Sequence, residues 1–351
     1  MVNGKPAADC GVINMDISIL VQSSVDGPGG NAEVVTEYAK VVKEAEVTSQ
    51  RFDAPGKMKF TCIEAKGIGI ELGSSVALSV DGVQMFKGYV FTAERNKDGE
   101  SIYTAYDQLR YLKANASYSF EAMTLPQIIA RIAADFGLKT GAMEDTGYAF
   151  PCLIKENESC LDIIFDALAQ TIIQTGRIFA FYDQAGELRL TEARNMYVNT
   201  LLGDASLVTD YTYKRDIDAN TYNRIKLVRA NSQTGRADVY MHEDRDTIKK
   251  WGLLQYYDQV DENMNEAQID QMCAQYLQYY NRVIQTITLE TIGVPQIRAG
   301  MIVPVRIGAV GDLKTTRLLL TEKVTHKFEQ DVHTMRVEVK DFSKLGGMIL
   351  V

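Results

Sequence analysis

The sequence predicts a mixed α+β fold that is mainly β, with two strand-rich regions flanking a helical block. Three observations lead there. Short alternating runs joined by tight turns recur between residues 58 and 106. The apolar spacing changes to a helical period at residue 124. Strand patterns return after 176, and one more helix near 265–281 precedes the closing strands.

The elements follow in order. VINMDISILVQS (12–23) reads as a first strand, and SVDGPGGNAE (24–33) as a loop rich in chain breakers. MKFTCIE (58–64) alternates as a strand. Two short strands are expected around Gly73–Ser75. The Asp81–Gly82 turn favours a hairpin into VQMFKGYVFTAE, and the turn at Asn96–Gly99 returns the chain through SIYTAYD. Short strands with such turns suit a barrel or a curled sheet. Thr124 and Gln127 fit a capping box, followed by a stripe of Leu125, Ile128, Ile129, Ile132 and Phe136 that Gly137 closes. Ser159 with Asp162 opens a second helix ending at Gly176, and RIFAFYDQAGELRLTE folds back across Asp183–Gly186. This block, about 115–205, reads as a separate small domain. YNRIKLVR (222–229) and RADVYM (236–241) are strand patterns expected to pair back with the first region. The helix at 265–281 carries the stripe Ile269, Met272, Cys273, Tyr276, Leu277 and Tyr280. Four strand patterns follow, and Pro304 inside one of them predicts an edge or a bulge.

Bulk properties narrow the function. A chain of 351 residues, 46% hydrophobic, has room for two or three cored domains. A net charge of -9 disfavours a broad nucleic-acid face, although such an average does not exclude a local patch. Cysteines 10, 62, 152, 160 and 273 have no metal-knuckle spacing and read as reduced, mostly buried thiols of a cytoplasmically made protein. The N-terminus has no secretory pattern, and no apolar run is long enough to span a membrane.

Signatures of catalysis are missing. GxSxG, GxGxxG and the P-loop are absent, and the GIG at 67–69 lies in a β context. Glu156 and Glu158 suggest paired glycosidase carboxylates, but the start of a helix accounts for acids there. His326 and His333 flank KFEQDV and would face each other if the turn centres on Glu329–Gln330. Two imidazoles suffice to hint at a metal, but no third ligand is evident, so a structural pair is expected. His242, in MHEDRD, sits beside Glu243, Asp244 and Asp246, which read as a solvated face. The expectation is no catalytic residue, no cofactor and no metal.

The tyrosines point elsewhere. There are 18 against one tryptophan, and a phenol ring suits protein interfaces. Tyr279 and Tyr280 cannot both face one helix side, so one of them meets another element or chain. Asp107 and Arg110, three apart, would pair across a short turn that locks the end of the strand region. Tyr106, with Leu109, or Tyr111, with Leu112, would then point inward.

The segment YTAYDQLRYLKA (103–114) resembles the corner of tail and baseplate hub proteins from contractile phage tails, defective prophages and phage-tail-like bacteriocins of Gram-positive bacteria. FKGYVF (86–91), TLPQIIARIAADFGL (124–138), EDTGY (144–148), ENESCLDIIFDAL (156–168), YNRIKLV (222–228), IKKWGLLQ (248–255) and THKF…VHTMRVEV (325–339) extend the resemblance in order. Late control protein D and secretion-system spike hubs are more distant relatives. The resemblance implies two barrel-like tube domains, with boundaries 1–114 and 206–241 for the first and 283–351 for the second. It implies an inserted α/β domain at 115–205 and a peripheral helical segment at 242–282. It further implies a homotrimer that adapts a hexameric tail tube to a trimeric central spike. Contacts with wedge or tape-measure proteins, and passage of DNA in a true phage, would follow. The particle's baseplate would be its location. Tyr106, Asp107, Arg110, Tyr111, Trp251, Tyr279 and Tyr280 are the structural and interface candidates. Some hubs carry a fused lysozyme or peptidase; none is expected after the last strand here. The alternative reading is a tail-associated peptidoglycan hydrolase, and a spike or a carbohydrate-binding module ranks lower.

Overall fold

The computed structural model describes residues 15–27, 30–63, 69–231, 235–329 and 332–341. The first region holds β1 (Ile17–Gly27), β2 (Gly30–Glu37), β3 (Val42–Gln50), β4 (Lys57–Ile63), β5 (Ser75–Val80), β6 (Val83–Arg95) and β7 (Glu100–Tyr106). The middle block holds β8 (Asn115–Thr124), α1 (Leu125–Asp135), β9 (Thr140–Met143), β10 (Ala149–Ser159), α2 (Cys160–Thr175), β11 (Phe179–Gln184) and β12 (Glu187–Glu192). Next come β13 (Leu202–Gly203), β14 (Val208–Asp216), β15 (Arg224–Asn231), β16 (Arg236–Glu243), α3 (Arg245–Trp251), β17 (Gln255–Val260) and α4 (Glu266–Tyr280). The last strands are β18 (Ile284–Ile292), β19 (Ile302–Arg306), β20 (Arg317–Glu329) and β21 (Val332–Lys340). The fold is mixed α+β and mainly β.

One 13-stranded sheet runs β14-β18-β21-β20-β3-β4-β7-β6-β5-β1-β2, with β19 and β13 attached beside β20. Its central join is antiparallel pairing of β20 with β3, Lys323 opposite Gln50 through Glu329 opposite Glu44. The first and last strand regions are therefore one continuous ladder. Among the described residues the ladder does not close. β2 and β14 end it, each with one neighbour, so the barrel expectation is corrected to an open sheet. Closure requires the two end strands to pair with each other, and order along a sheet is not written in strand patterns.

Burial alternates along the strands. In β5 Val76, Leu78 and Val80 are buried, and in β7 Ser101, Tyr103 and Ala105. One core gathers Met58, Phe60, Leu78, Val90 and Phe328, and another Leu289, Val303, Val305, Val324 and Val337. Gly88 lets β6 cross the end of β7, because a Cβ there would meet the Tyr106 carbonyl oxygen at 2.2 Å.

The helical block forms as its sequence dictates. Thr124 and Gln127 make the capping box of α1, and Ser159 Oγ accepts from Asp162 N at the start of α2. Gly176 ends α2 at φ +69. Both helices bury Ile128, Ile132, Leu161 and Ile164 in a core shared with β8, β10, β11 and β12. The hairpin across Asp183–Gly186 is β11 paired with β12.

Several strand expectations are corrected. Residues 24–27 continue β1, and β2 pairs back along it, so this stretch is a hairpin and not a loop; residues 28–29 lie outside the described set. Around Gly73–Ser75 only β5 is described, since 64–68 lie outside that set. The strands at 222–229 and 236–241 do not return to the first region. They form a separate sheet, β16-β15-β17, on which α4 packs Ile269, Cys273 and Tyr276. The parallel partner β17 supplies the pairing that makes this unit possible. Pro304 falls in the expected kind of gap. It pairs with Leu318 of β20, while β13 on the other side begins opposite Val305.

Candidate functional site

The corner after β7 is built around Asp107. Its Oδ2 accepts from Gly56 N at 2.8 Å and its Oδ1 from Leu109 N at 3.0 Å, while its own N–H donates to the Gly56 carbonyl at 3.1 Å. The carboxylate thereby caps a 3-10 turn, Gln108–Lys113, and ties it to the loop before β4. A Cβ on Gly56 would lie 2.4 Å from Asp107 Oδ2, so the approach requires glycine. This corrects the expected Asp107–Arg110 pair. Among the described residues no ion pair joins them, because Asp107 turns into the protein and Arg110 lies 5.3 Å from the ring centre of Phe91.

Asp107 is part of a buried polar junction. Gln108 Nε2 donates to Asp183 Oδ2 at 2.8 Å, Gly186 N donates to Asp183 Oδ1 at 3.0 Å, and Arg298 Nη1 donates to the Asp183 carbonyl at 3.1 Å. The Arg298 guanidinium stacks 4.1 Å over Tyr182. Burial, then the Asp183 charge, holds the Asp107 carboxyl well above its ordinary range; Asp183 is also raised by burial, and Arg298 is pushed down by it. A cavity of about 230 Å³ lies here, and His326 forms part of its wall. Three distant segments meet at this point: the end of β7, the β11–β12 hairpin and the loop before β19. Sequence reasoning found Asp107 and missed Asp183 and Arg298, since buried charge has no local signature.

The aromatic candidates form a rim outside the corner. Phe91 lies 5.6 Å from Tyr106 and 5.8 Å from Tyr111, and Tyr89 lies 6.0 Å from Tyr111. Tyr106 is half-buried and Tyr111 is 40% exposed, so the inward-facing members of the turn are Leu109 and Leu112. Tyr280 joins Tyr222, Tyr256 and Tyr276 under α4 at ring distances of 5.3, 5.3 and 5.9 Å. Tyr279 turns toward the helical block's core and stacks with Arg282 at 4.7 Å. Both rings are thus engaged within the chain. Trp251 is half-buried beside Lys250 at the end of α3, away from the corner.

The remaining polar candidates have structural partners. His326 Nε2 bonds the Ile297 carbonyl at 2.7 Å, and His326 Nδ1 lies 2.9 Å from His333 Nε2. A carbonyl only accepts, so His326 Nε2 carries the proton and its Nδ1 accepts from His333. The register differs from the expected one. Phe328 stands opposite His333, and the rings meet diagonally; residues 330 and 331, with Asp331, lie outside the described set. Among the described residues no third His, Cys, Asp or Glu completes a metal-binding group. Asp244, expected on a solvated face, caps α3 by accepting from Asp246 N and Thr247 N, while Glu243 pairs with Arg224 and His242 with Asp270. Glu158 pairs with Lys155 at the end of β10. Cys62, Cys160 and Cys273 are buried and Cys152 is exposed, while Cys10 lies outside the described set.

The sheet ends are the other feature open to partners. Among the described residues β2 has β1 as its one neighbour, and it exposes Val34 (44%) and Val35 (59%), beside Leu20 (42%) of β1. β14, also with one neighbour, offers the opposite edge. The YQBQ-like family model matches residues 45–340, which span the corner, the helical block and the β20–β3 join. The chain belongs to the YQBQ-like family. Within reach of this family is the phage-like element PBSX protein XkdQ of Bacillus subtilis, 30% identical over 314 residues that cover 87% of this chain and 94% of the relative. The fold is shared with solved tail proteins at low identity. A prophage 43 kDa tail protein from Shewanella oneidensis gives a TM-score of 0.64 at 15% identity, over 92% of this chain and 98% of that one. A tail protein from Neisseria meningitidis gives 0.66 at 12%, over 93% and 97%. The hub-family resemblance read from 103–114 and its companions agrees with these kinships. Among the described residues, no helix of this YQBQ-like chain is long and apolar enough to cross a membrane.

Proposed function

We propose that this protein is a structural component of a phage or phage-like tail, the baseplate hub that adapts a hexameric tube to a trimeric central spike. The observation that carries the reading is kinship along nearly the whole chain with a phage-like element protein, together with a fold shared with tail proteins. Its work is shape and contact. The physical support is the open sheet, since among the described residues β2 and β14 each leave a row of backbone donors and acceptors to be covered. Neighbouring copies in a homotrimer would supply that cover. Tube, spike, wedge and tape-measure proteins are the expected partners, in a particle assembled in a bacterial cytoplasm. DNA would pass only in a true phage.

In this proposal the 115–205 block, and the unit in which β15, β16 and β17 pack with α4, lie outside the ring that the large sheets of neighbouring copies build. The test is the native mass in solution, alone and with the candidate tube and spike proteins. A trimer, or a monomer that becomes one on adding spike, is expected. A persistent monomer that ignores both partners would overturn the reading, and release of soluble fragments from peptidoglycan would replace it with the hydrolase.

A further inference from the structure

Four cations from three separate segments line one open recess of about 540 Å³: Lys57 of β4, Arg110 and Lys113 of the corner turn, and Lys323 of β20. Glu46 is the one carboxylate in its lining. Among the described residues none of the four forms an ion pair with a carboxylate. Lys57 and Lys323 are half-buried, which limits how far they can spread into solvent. Like charges gathered on a low-dielectric wall create a positive potential that an anionic occupant relieves. This is unusual in a chain of net charge -9.

The same chain carries a surface of opposite sign. No Lys or Arg occurs between Lys250 and Arg282, whereas Asp258, Asp261, Glu262, Glu266 and Asp270 do. Asp258, Glu262, Glu266 and Asp270 are exposed along β17 and the start of α4. Tyr256 OH donates to Asp258 at 3.1 Å, and Asp270 lies 2.7 Å from His242. Among the described residues no Lys or Arg forms a salt bridge with any of the five, although the Glu266 charge is felt by Arg229.

We infer that the acidic segment 258–270 of one copy seats in the basic recess of the next. The inference rests on the oligomeric hub reading and names its contact. A second copy fits better than a nucleic acid, because the overall negative charge repels a long polyanion while a matched local surface does not. The two surfaces differ, so the contact is heterologous and repeats head to tail until it closes as a ring.

The test is a charge swap in the full chain. Lys113→Glu with Lys323→Glu reverses the recess, Asp258→Lys with Glu262→Lys reverses the segment, and a four-fold variant carries both. Circular dichroism checks each fold, and Lys113→Gln with Lys323→Gln replaces any recess variant that unfolds. Each half-swap is expected to weaken self-association at low salt by about tenfold or more, and the four-fold variant to recover most of it. Half-swaps that associate like the parent, or a four-fold variant no better than its halves, would overturn the inference while leaving the hub reading standing. A parent chain that stays monomeric with and without spike and tube overturns both. A labelled single-stranded oligonucleotide that binds the parent and not the recess variant would assign the recess to nucleic acid and also overturn it.

Discussion

Arg51 donates through Nε and Nη2 to a single oxygen of Glu322, at 3.0 and 2.7 Å, across the seam where β20 pairs with β3. Both side chains are largely buried, at 3% and 11% exposure, and Arg51 N also donates to the Glu322 carbonyl at 2.9 Å. The pair thus clamps two segments far apart in sequence into one sheet. Removing one partner of such a pair strands the other charge in the protein. Glu322→Ala is expected to cost about 3–5 kcal/mol, and Glu322→Gln less, because an amide oxygen still accepts. Urea unfolding measures both. A cost under about 1 kcal/mol for Glu322→Ala would show that the seam does not depend on the clamp.

The Asp107 corner predicts a second asymmetry. Asp107→Ala leaves the N–H groups of Gly56 and Leu109 without their acceptor in a buried site. Each unsatisfied group costs about 1–3 kcal/mol. Arg110→Ala removes one guanidinium–ring contact at the surface and is expected to cost about 1 kcal/mol or less. Equal losses for the two variants would restore the Asp107–Arg110 lock that the geometry argues against. Gly56→Ala should mimic Asp107→Ala, since its methyl would occupy the carboxylate's position.

What was legible in the sequence follows from the range of the interactions involved. The caps at Thr124 and Ser159 act over three residues, and the stripe from Ile269 to Tyr280 repeats at helical spacing, so α1, α2 and α4 could be placed from local pattern alone. β3 was not seen as a strand, because Lys43, Glu44 and Glu46 make one of its faces polar and its partners lie in β4 and β20. β2 and β17 were hidden for the same reason, since residues 34–37 of β2 and four of the six residues of β17 face solvent. The candidate site was half legible. Asp107 sits in a recognisable strand-to-turn pattern, but Asp183 and Arg298 reach it only through tertiary packing. The recess behaves likewise, because Lys57 and Lys323 come together only once β20 has joined β3 beside β4.

The paired histidines predict an acid-side loss of stability. Burial lowers His326 to about 3 and His333 to about 4, with a model-peptide value of 6.5 for each. Facing or near them are the Ile297 carbonyl, the Phe328 ring and the Asp81 charge, of which Asp81 raises His333 against the larger effect of burial. Both rings are neutral in folded and unfolded chains above about pH 6.5. Below it the unfolded chain takes up protons that the folded chain refuses, so stability falls as pH drops toward 4. The slope is about 1.4 kcal/mol per pH unit for each proton withheld, before screening by solvent at the less buried His333. Urea midpoints at pH 7 and pH 5 should therefore differ more for the parent than for a His326→Gln, His333→Gln double variant. An unchanged difference would exclude the pair as its source.

The β2 edge gives the most direct handle on assembly. Val34 and Val35 point to opposite faces of their strand, yet both are exposed, at 44% and 59%. An edge strand that exposes a valine on each face and has one neighbour among the described residues is open to pairing. In the assembly proposed here, that lack of protection is its use. Val35→Lys places a charge at the edge without touching a buried core residue, so the monomer should unfold at nearly the same urea concentration as the parent, within about 0.5 kcal/mol. Self-association should fall by about tenfold or more, as a contact worth about 1.4 kcal/mol or above is lost. Val239→Lys serves as the comparison, because Val239 is equally exposed, at 56%, but lies on β16 outside the large sheet. Equal effects of the two substitutions would mean that general surface apolarity, and not the β2 edge, drives association. A loss confined to Val35→Lys would place the contact between copies at the end of the open ladder.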